Sequence, residues 1–335
     1  MTLVVGIDVG GTKTNATVLA DHGHFLVDRM IEVPSRVLEG PPAAVSAIGE
    51  VFALVLADVG ADVGDVLAIG LDTPGPSSAH GVISQRGSTN FSQRDWWGFD
   101  IRGAVEHALH LPVIYNNDGN AAALFAHQEH YGAASSTKSS VAAIVGTGLG
   151  GGVVEMGTVL RGTNGMAGEL GHVHIPMEGL LEAGQPLPRC NCGFVGDLES
   201  VASLSGIMNN LLPYWLTRYP THPLASEPIV DAAKAVRSYA QRGDEMSLKI
   251  FEQQAMAIGR MFTIAANFTD PDAYFISGGV VEAEAHFRDW FLDGVQRHTL
   301  LRIEQREVAE FLVVPELDMA GARGSAMAAL NAIRP

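Results

Sequence analysis

The sequence predicts an α/β protein of two domains, and three observations predict it. Apolar runs of strand length alternate with segments of helical period along all 335 residues. A strand, glycine turn, strand pattern occurs twice, over residues 4–19 and 141–154, once near the start of each half. Hydrophobic residues make up 47% and charged residues 17%, enough apolar material for two cores of ordinary size.

The first hairpin is the organising stretch. Val4, Val5 and Ile7 end a buried strand, Asp8 stands at its exit, and Gly10 and Gly11 make a tight turn. Glycines there leave backbone N–H groups uncovered for a phosphate, and Asp8 suits a magnesium ion, directly or through water. Thr12, Lys13 and Thr14 follow, and Ala16, Val18 and Leu19 form the return strand. The spacing is not that of a P-loop, and a dinucleotide fingerprint would open a helix. An ordinary hairpin with a glycine turn is the competing reading.

A short strand ends at Pro34, and Gly40-Pro41-Pro42 starts a helix over residues 43–57. Leu67 to Leu71 read as a buried strand, followed by Asp72-Thr73-Pro74-Gly75-Pro76. The glycine-rich segment to Asp100 holds Asn90, Trp96 and Trp97 and has the length of a ligand loop, although local packing is the first reading for both tryptophans. A helix over residues 101–110 leads to the strand at 112–115. Asn117 and Asp118 then stand at a strand end and a helix start. A carboxylate there either accepts a proton from a held hydroxyl or simply caps the helix.

The second half repeats the theme. Val141 to Val145 form a strand, residues 146–152 (including Thr147 and Gly148) a glycine turn, and Val153 and Val154 the return strand. Two such turns suit a polyphosphate held from opposite sides. Glu169, His172 and His174 follow, with both histidines expected on one strand face. Cys190 and Cys192, with His172 and Asp197, have ligand types for zinc; two free thiols are the alternative. Residues 201–257 are largely helical by pattern, and a mostly buried helix runs from Met246 toward Asn267. The strand at 273–276 ends in Gly278 and Gly279, which fit either the approach of a nucleoside or a tight strand-to-helix turn. A last strand at 310–315 precedes a small-residue helix from Gly321, expected to pack on the first domain.

The formal net charge of −16 argues against a basic face for nucleic acid or an anionic membrane. Two cysteines exclude a disulfide framework. No signal-peptide pattern is seen and the apolar runs read as too short or broken to span a bilayer, so a cytoplasmic location is expected.

These motifs, taken in order, resemble the ROK family (repressor, open reading frame, kinase) within the actin-like ATPase and sugar-kinase superfamily. The resemblance rests on residues 8–13, 117–123, 146–152, 168–172 and 190–199 and on Gly278-Gly279, and it covers essentially the whole chain. It implies two ribonuclease-H-like α/β domains around a central cleft. Residues 1–117 with the C-terminal helix 316–335 would form one; residues 118–315, with the zinc segment and a dimerisation surface, the other. It implies transfer of phosphate from ATP with Mg²⁺ to a hexose, glucose to glucose 6-phosphate first. N-acetylglucosamine, N-acetylmannosamine, fructose, a polyphosphate donor or a non-catalytic sugar-responsive regulator are the alternatives. Asp118 matches the family's catalytic base. Asn117, Glu169, His172 and Glu199 match sugar ligands, with Asn90 a weaker match. Gly10, Gly11, Thr12 and Thr147 match phosphate-loop residues, joined by Asp8, Lys13 and Gly148, and Gly278 and Gly279 border the adenosine. A homodimer or homotetramer is implied. The family's zinc segment usually has a third cysteine where this chain has Asp197. Its DNA-binding members carry an N-terminal helix-turn-helix, for which the opening strand near Leu3 leaves no room.

Overall fold

The computed structural model describes residues 2–75, 77–85, 91–314 and 319–334. The chain divides into two compact units, Met1–Ser136 with Gly157–Gly168 and Leu317–Pro335, and Thr137–Met156 with Glu169–Glu316.

In the first unit β1 (Leu3–Val9) and β2 (Lys13–Ala20) form the opening hairpin, and β3 (Ile31–Pro34) pairs with β2. Helix α1 (Pro41–Val59) leads to β4 (Val66–Thr73), and α2 (Ile101–Leu109) to β5 (Val113–Asn117). The sheet order is β3-β2-β1-β4-β5, with β4 and β5 parallel to β1. Helix α3 (Asp118–Tyr131) follows β5 directly.

By length and composition α1 is apolar enough to cross a membrane, contrary to the expectation from sequence. Its apolarity has a use in the fold: Ala44, Ala47, Ile48, Val51 and Val55 are fully buried in the core of this unit. Trp96 is also core, wedged between Phe91 and Phe99 with its indole N–H donating to the Val37 carbonyl at 2.9 Å.

In the second unit β6 (Ser140–Val145) and β7 (Leu149–Glu155) form the second hairpin. Gly150, Gly151 and Gly152 lie inside β7, opposite Ile144, Ala143 and Ala142, so the turn is shorter than the glycine run implied. A Cβ on Gly151 would meet the Ala142 carbonyl oxygen at 2.5 Å, which explains a glycine within the ladder. After β8 (Thr158–Val159), which lies in the Gly157–Gly168 stretch of the first unit, the second unit continues with α4 (Glu199–Ala202), α5 (Leu204–Gly206), α6 (Leu212–Arg218), α7 (Ile229–Gln241) and α8 (Glu245–Thr269). Then β9 (Ala273–Gly278), α9 (Ala285–His298), α10 (Ile303–Arg306) and β10 (Glu310–Val314) complete the unit. Its strands stand in the order β10-β9-β6-β7, with α8 and α9 packed on each other through Phe251, Phe287 and Phe291.

Helix α11 (Ala320–Ile333) returns to the first unit, where it packs on β1, β4 and α3. Contact with α11 also places α3 in this unit, whereas the sequence reading ended the first domain at Asn117.

Candidate functional site

The first unit gathers carboxyl groups at the C-terminal ends of its central strands. Asp8 and Asp72 are partners in the parallel register of β1 and β4. Asp8 accepts from Asn15 Nδ2 at 2.8 Å, and Asp72, fully buried, accepts from Ser325 Oγ of α11 at 2.7 Å. Burial holds the Asp72 carboxyl well above the ordinary carboxylate range, and the charges of Asp8 and Asp118 add to the rise. Asp72 escaped the sequence reading. Its signal was a carboxylate directly continuing the buried run Leu67 to Leu71.

The turn after Asp8 is tighter than its glycines suggested. The Gly10 N–H donates to the Lys13 carbonyl at 2.8 Å, so that amide closes the hairpin and is not uncovered. Thr12 is exposed, and Lys13 forms an exposed ion pair with Glu32.

At the end of β5, capping falls to Asn117. Its Oδ1 accepts the N–H groups of Gly119 at 2.9 Å and Asn120 at 3.3 Å, and its Nδ2 reaches the Gly75 carbonyl at 3.4 Å. Asp118 is the first residue of α3, with Oδ1 accepting the Gly119 N–H at 2.7 Å. The cap and the carboxylate are thus separate residues. Tyr115, on the same strand, bonds the hydroxyls of Thr73 and Ser77 and ties down the loop after β4; burial pushes its phenol up to about 12. Asn90 lies outside the described residues.

Beside Asn117 is a small cavity of about 10 Å³, lined by Ser77, Ser78, Asn116, Asn120 and Arg161 among others. The Arg161 guanidinium donates to Asn116 Oδ1. Neither Arg161 nor Asn116 was singled out from sequence, because nothing in their local pattern sets them apart.

The second unit brings together the turn after β6 and the segment from Glu169 to Glu199. The turn is closed by the Gly146 N–H on the Gly148 carbonyl at 2.9 Å, and the Thr147 carbonyl accepts the Ser205 N–H at 3.0 Å. Glu199 Oε2 accepts the Leu149 N–H at 2.9 Å, while Oε1 faces Cys190 Sγ at 3.3 Å. A Cβ on Gly148 would lie 2.6 Å from that Oε2. Gly278 has φ of 87° and abuts Val145, whose carbonyl accepts the Gly279 N–H at 2.9 Å. Both glycines therefore stand next to the Gly146–Gly148 turn, and Gly278 has a backbone conformation that favours glycine.

Leu170–His172 is a single 3₁₀ turn, and His174 bridges to Asp197 outside any named strand, so His172 and His174 do not share a strand face. His172, Cys190, Cys192 and Asp197 each offer one ligand atom within 4.8 Å of the others. From His172 Nδ1 the distances are 3.1 Å to Asp197 Oδ2, 3.6 Å to Cys192 Sγ and 3.9 Å to Cys190 Sγ. Zinc bonds of 2.0–2.3 Å in a tetrahedron place ligand atoms roughly 3.3–3.8 Å apart, so this donor set fits the ion in kind, and the three distances from His172 bracket that spacing. The hydrogen bond to Asp197 raises the His172 imidazole. Asp197 is lowered in spite of burial, because His172, Cys190 and Ser200 bond it. Burial pushes the Cys190 thiol up. Burial also raises Glu169, with Glu199 adding to the effect and His172 opposing it.

The sequence profile of the ROK family matches residues 4–332. A glucokinase of Halalkalibacterium halodurans is 34% identical over 298 residues, 88% of this chain and 84% of that protein. The structure of a ROK hexokinase from Thermus thermophilus superposes with a TM-score of 0.77 at 29% identity, covering 99% of each chain. That of a ROK family glucokinase from Streptomyces griseus, in complex with glucose and AMPPNP, gives 0.70 at 27%, covering 98% of this chain and 99% of the other. A match of this extent, with the architecture and motif order described above, leaves one assignment: the chain belongs to the ROK family.

Proposed function

We propose that this protein transfers the γ-phosphoryl group of ATP to the 6-hydroxyl of glucose. The observation that supports the reading most directly is the likeness to glucokinases along nearly the whole chain, joined to a carboxylate, Asp118, at the first residue of a helix whose N-cap is Asn117.

In the reaction O6 of the sugar attacks the γ-phosphorus, the bond from that phosphorus to the bridging oxygen of ADP breaks, and the hydroxyl proton passes to Asp118. Phosphoryl transfer asks mainly for positioning and charge stabilisation. Asp118 holds the hydroxyl in line and takes the proton as charge develops on O6. Asn117, Glu169, His172 and Glu199 are assigned to the ring hydroxyls. The turns at Gly11-Thr12 and Thr147-Gly148 are assigned to phosphate, with Lys13 at the rim, and Gly278 and Gly279 to the adenosine. Asp8 would hold magnesium, which when bound neutralises phosphate charge. His172, Cys190, Cys192 and Asp197 would hold zinc, whose part is structural: it fixes the loop that carries His172 and the segment leading to Glu199. Glucose, ATP and a soluble cytoplasmic dimer or tetramer complete the reading.

The test is a coupled assay with ATP, Mg²⁺ and a panel of hexoses and N-acetylhexosamines. Glucose is expected to give turnover far above the rest. A clear preference for an N-acetylated sugar, or turnover only with polyphosphate, would replace glucose or ATP in this proposal.

A further inference from the structure

We propose that the pocket of Ser77, Ser78, Asn116, Asn120 and Arg161 in the first unit binds a small anion. Arg161 is half-buried, burial lowers its basicity, and among the described residues no carboxylate pairs with it. Among the described residues its hydrogen-bond partner is a neutral amide, Asn116. Within that set of residues the guanidinium is a charge without its counter-charge.

The second observation is independent of Arg161. Asn116 and Asn120 are 4% and 5% exposed, and each leaves one buried amide atom without a hydrogen-bond partner, Nδ2 of Asn116 and Oδ1 of Asn120. Buried polar atoms are ordinarily paired, so both amides point to something polar in the pocket they line. Asn116 Nδ2 is a donor. Asn120 becomes one by a half-turn of its amide, since the two orientations have the same shape. Ser78 Oγ accepts the N–H groups of His80 and Val82, at 3.3 and 3.1 Å, which leaves its own proton to donate. Donors thus outnumber acceptors and one of them is cationic.

Size sets the class of ligand. A cavity of about 10 Å³ admits one water-sized group. A halide fills it alone; a phosphate places one oxygen in it and keeps the rest at the mouth. The chain's formal net charge of −16 gives it no general attraction for anions, so saturable binding would mark a built site.

The melting temperature of the full chain is followed in separate titrations with sodium chloride and sodium phosphate, beside Arg161→Gln and Asn116→Asp. The wild type is expected to rise saturably, as a ligand of the folded state requires. Arg161→Gln is expected to raise the half-saturating concentration about 10-fold or more, the size of a lost charged hydrogen bond. Asn116→Asp supplies the missing carboxylate from within, so it should melt higher than wild type without salt and no longer respond. Saturation by chloride at the lower concentration identifies a halide site, and by phosphate an oxyanion site. Parallel shifts of all three proteins in both salts would overturn the proposal and leave the pocket to water. The readout is stability and not turnover, so this result is separate from the kinase assignment.

Discussion

Gly70→Ala tests how α11 is seated on the first unit. Gly6 of β1 and Gly70 of β4 are register partners, side by side on adjacent strands. A Cβ on Gly70 would lie 1.9 Å from the Ser325 carbonyl oxygen, 2.3 Å from its carbon and 2.9 Å from the Ala326 nitrogen. Gly6 is as close, 1.9 Å from the Ala322 oxygen. These are backbone atoms of a helix, which cannot turn aside as a side-chain tip can. Alanine therefore forces α11 off the sheet, at about 1–3 kcal/mol for overpacking alone. Lifting the helix also breaks the bond from Ser325 Oγ to Asp72, leaving a fully buried acid unpaired, for about 1–3 kcal/mol more. Relief of glycine's chain entropy returns roughly 0.5–1 kcal/mol. The expected net loss is roughly 1–5.5 kcal/mol, read by urea unfolding on the transition of the first unit. Ser325→Ala, which removes only the hydrogen bond, should cost about 1–3 kcal/mol. A Gly70→Ala protein within about 0.5 kcal/mol of wild type, the range of an uninvolved surface change, would refute this seating of the helix.

Three further outcomes are expected. Asp118→Asn keeps the shape at the start of α3 but removes the base, so turnover should fall roughly 10²-fold or more while glucose binding by calorimetry stays near wild type; near-normal turnover would remove Asp118 from its role. Purified wild-type protein should hold zinc by elemental analysis and Cys192→Ser should lose most of it; equal zinc in both would leave the four-ligand cluster without a metal role. Asp244 caps the 25-residue α8 by accepting the Ser247 N–H at 2.9 Å and pairs with His222 at 3.1 Å. Asp244→Ala should cost about 1 kcal/mol at pH 7. Although burial opposes it, those bonds hold the Asp244 carboxyl below its ordinary 3.8, so the stabilisation is complete above that pH and fades as pH falls through the lowered value. The gap between variant and wild type should therefore narrow at pH 3, and a constant gap would argue against the charged cap.

Periodicity located nearly every strand and long helix, because burial on one face writes itself into local spacing. What spacing could not resolve was where a glycine run bends and where it stays extended. Residues 146–152 read as one turn, yet Gly150 to Gly152 are ladder residues, and the absent side chain of Gly151 admits Ala142 and Leu170. The first compact unit runs past the Asn117 boundary expected from sequence for a related reason. Helix α3 follows β5 without a linker, and the partner that claims it, α11, lies some two hundred residues on in the sequence.

The site was legible where chemistry announces itself by type, as in Cys190, Cys192 and His172, or by position at a strand end, as in Asp8 and Asp118. It was illegible where one group's role depends on another's occupation. Asp118 read either as a proton acceptor or as a cap, and what spacing did not show is that Asn117 Oδ1 takes the Gly119 and Asn120 N–H groups while Asp118 Oδ1 shares the first of them. The Gly10 amide looked available and is consumed by Lys13. Asp72 looked like the exit of a strand and is a buried acid set against Asp8. In each case the deciding fact is which hydrogen-bond capacity is already spent within the fold. The same accounting marks Arg161, Asn116 and Asn120, where capacity is left over. Unspent capacity in a buried place has to be met by something outside the chain, and that is a physical criterion for a site that no local motif supplies.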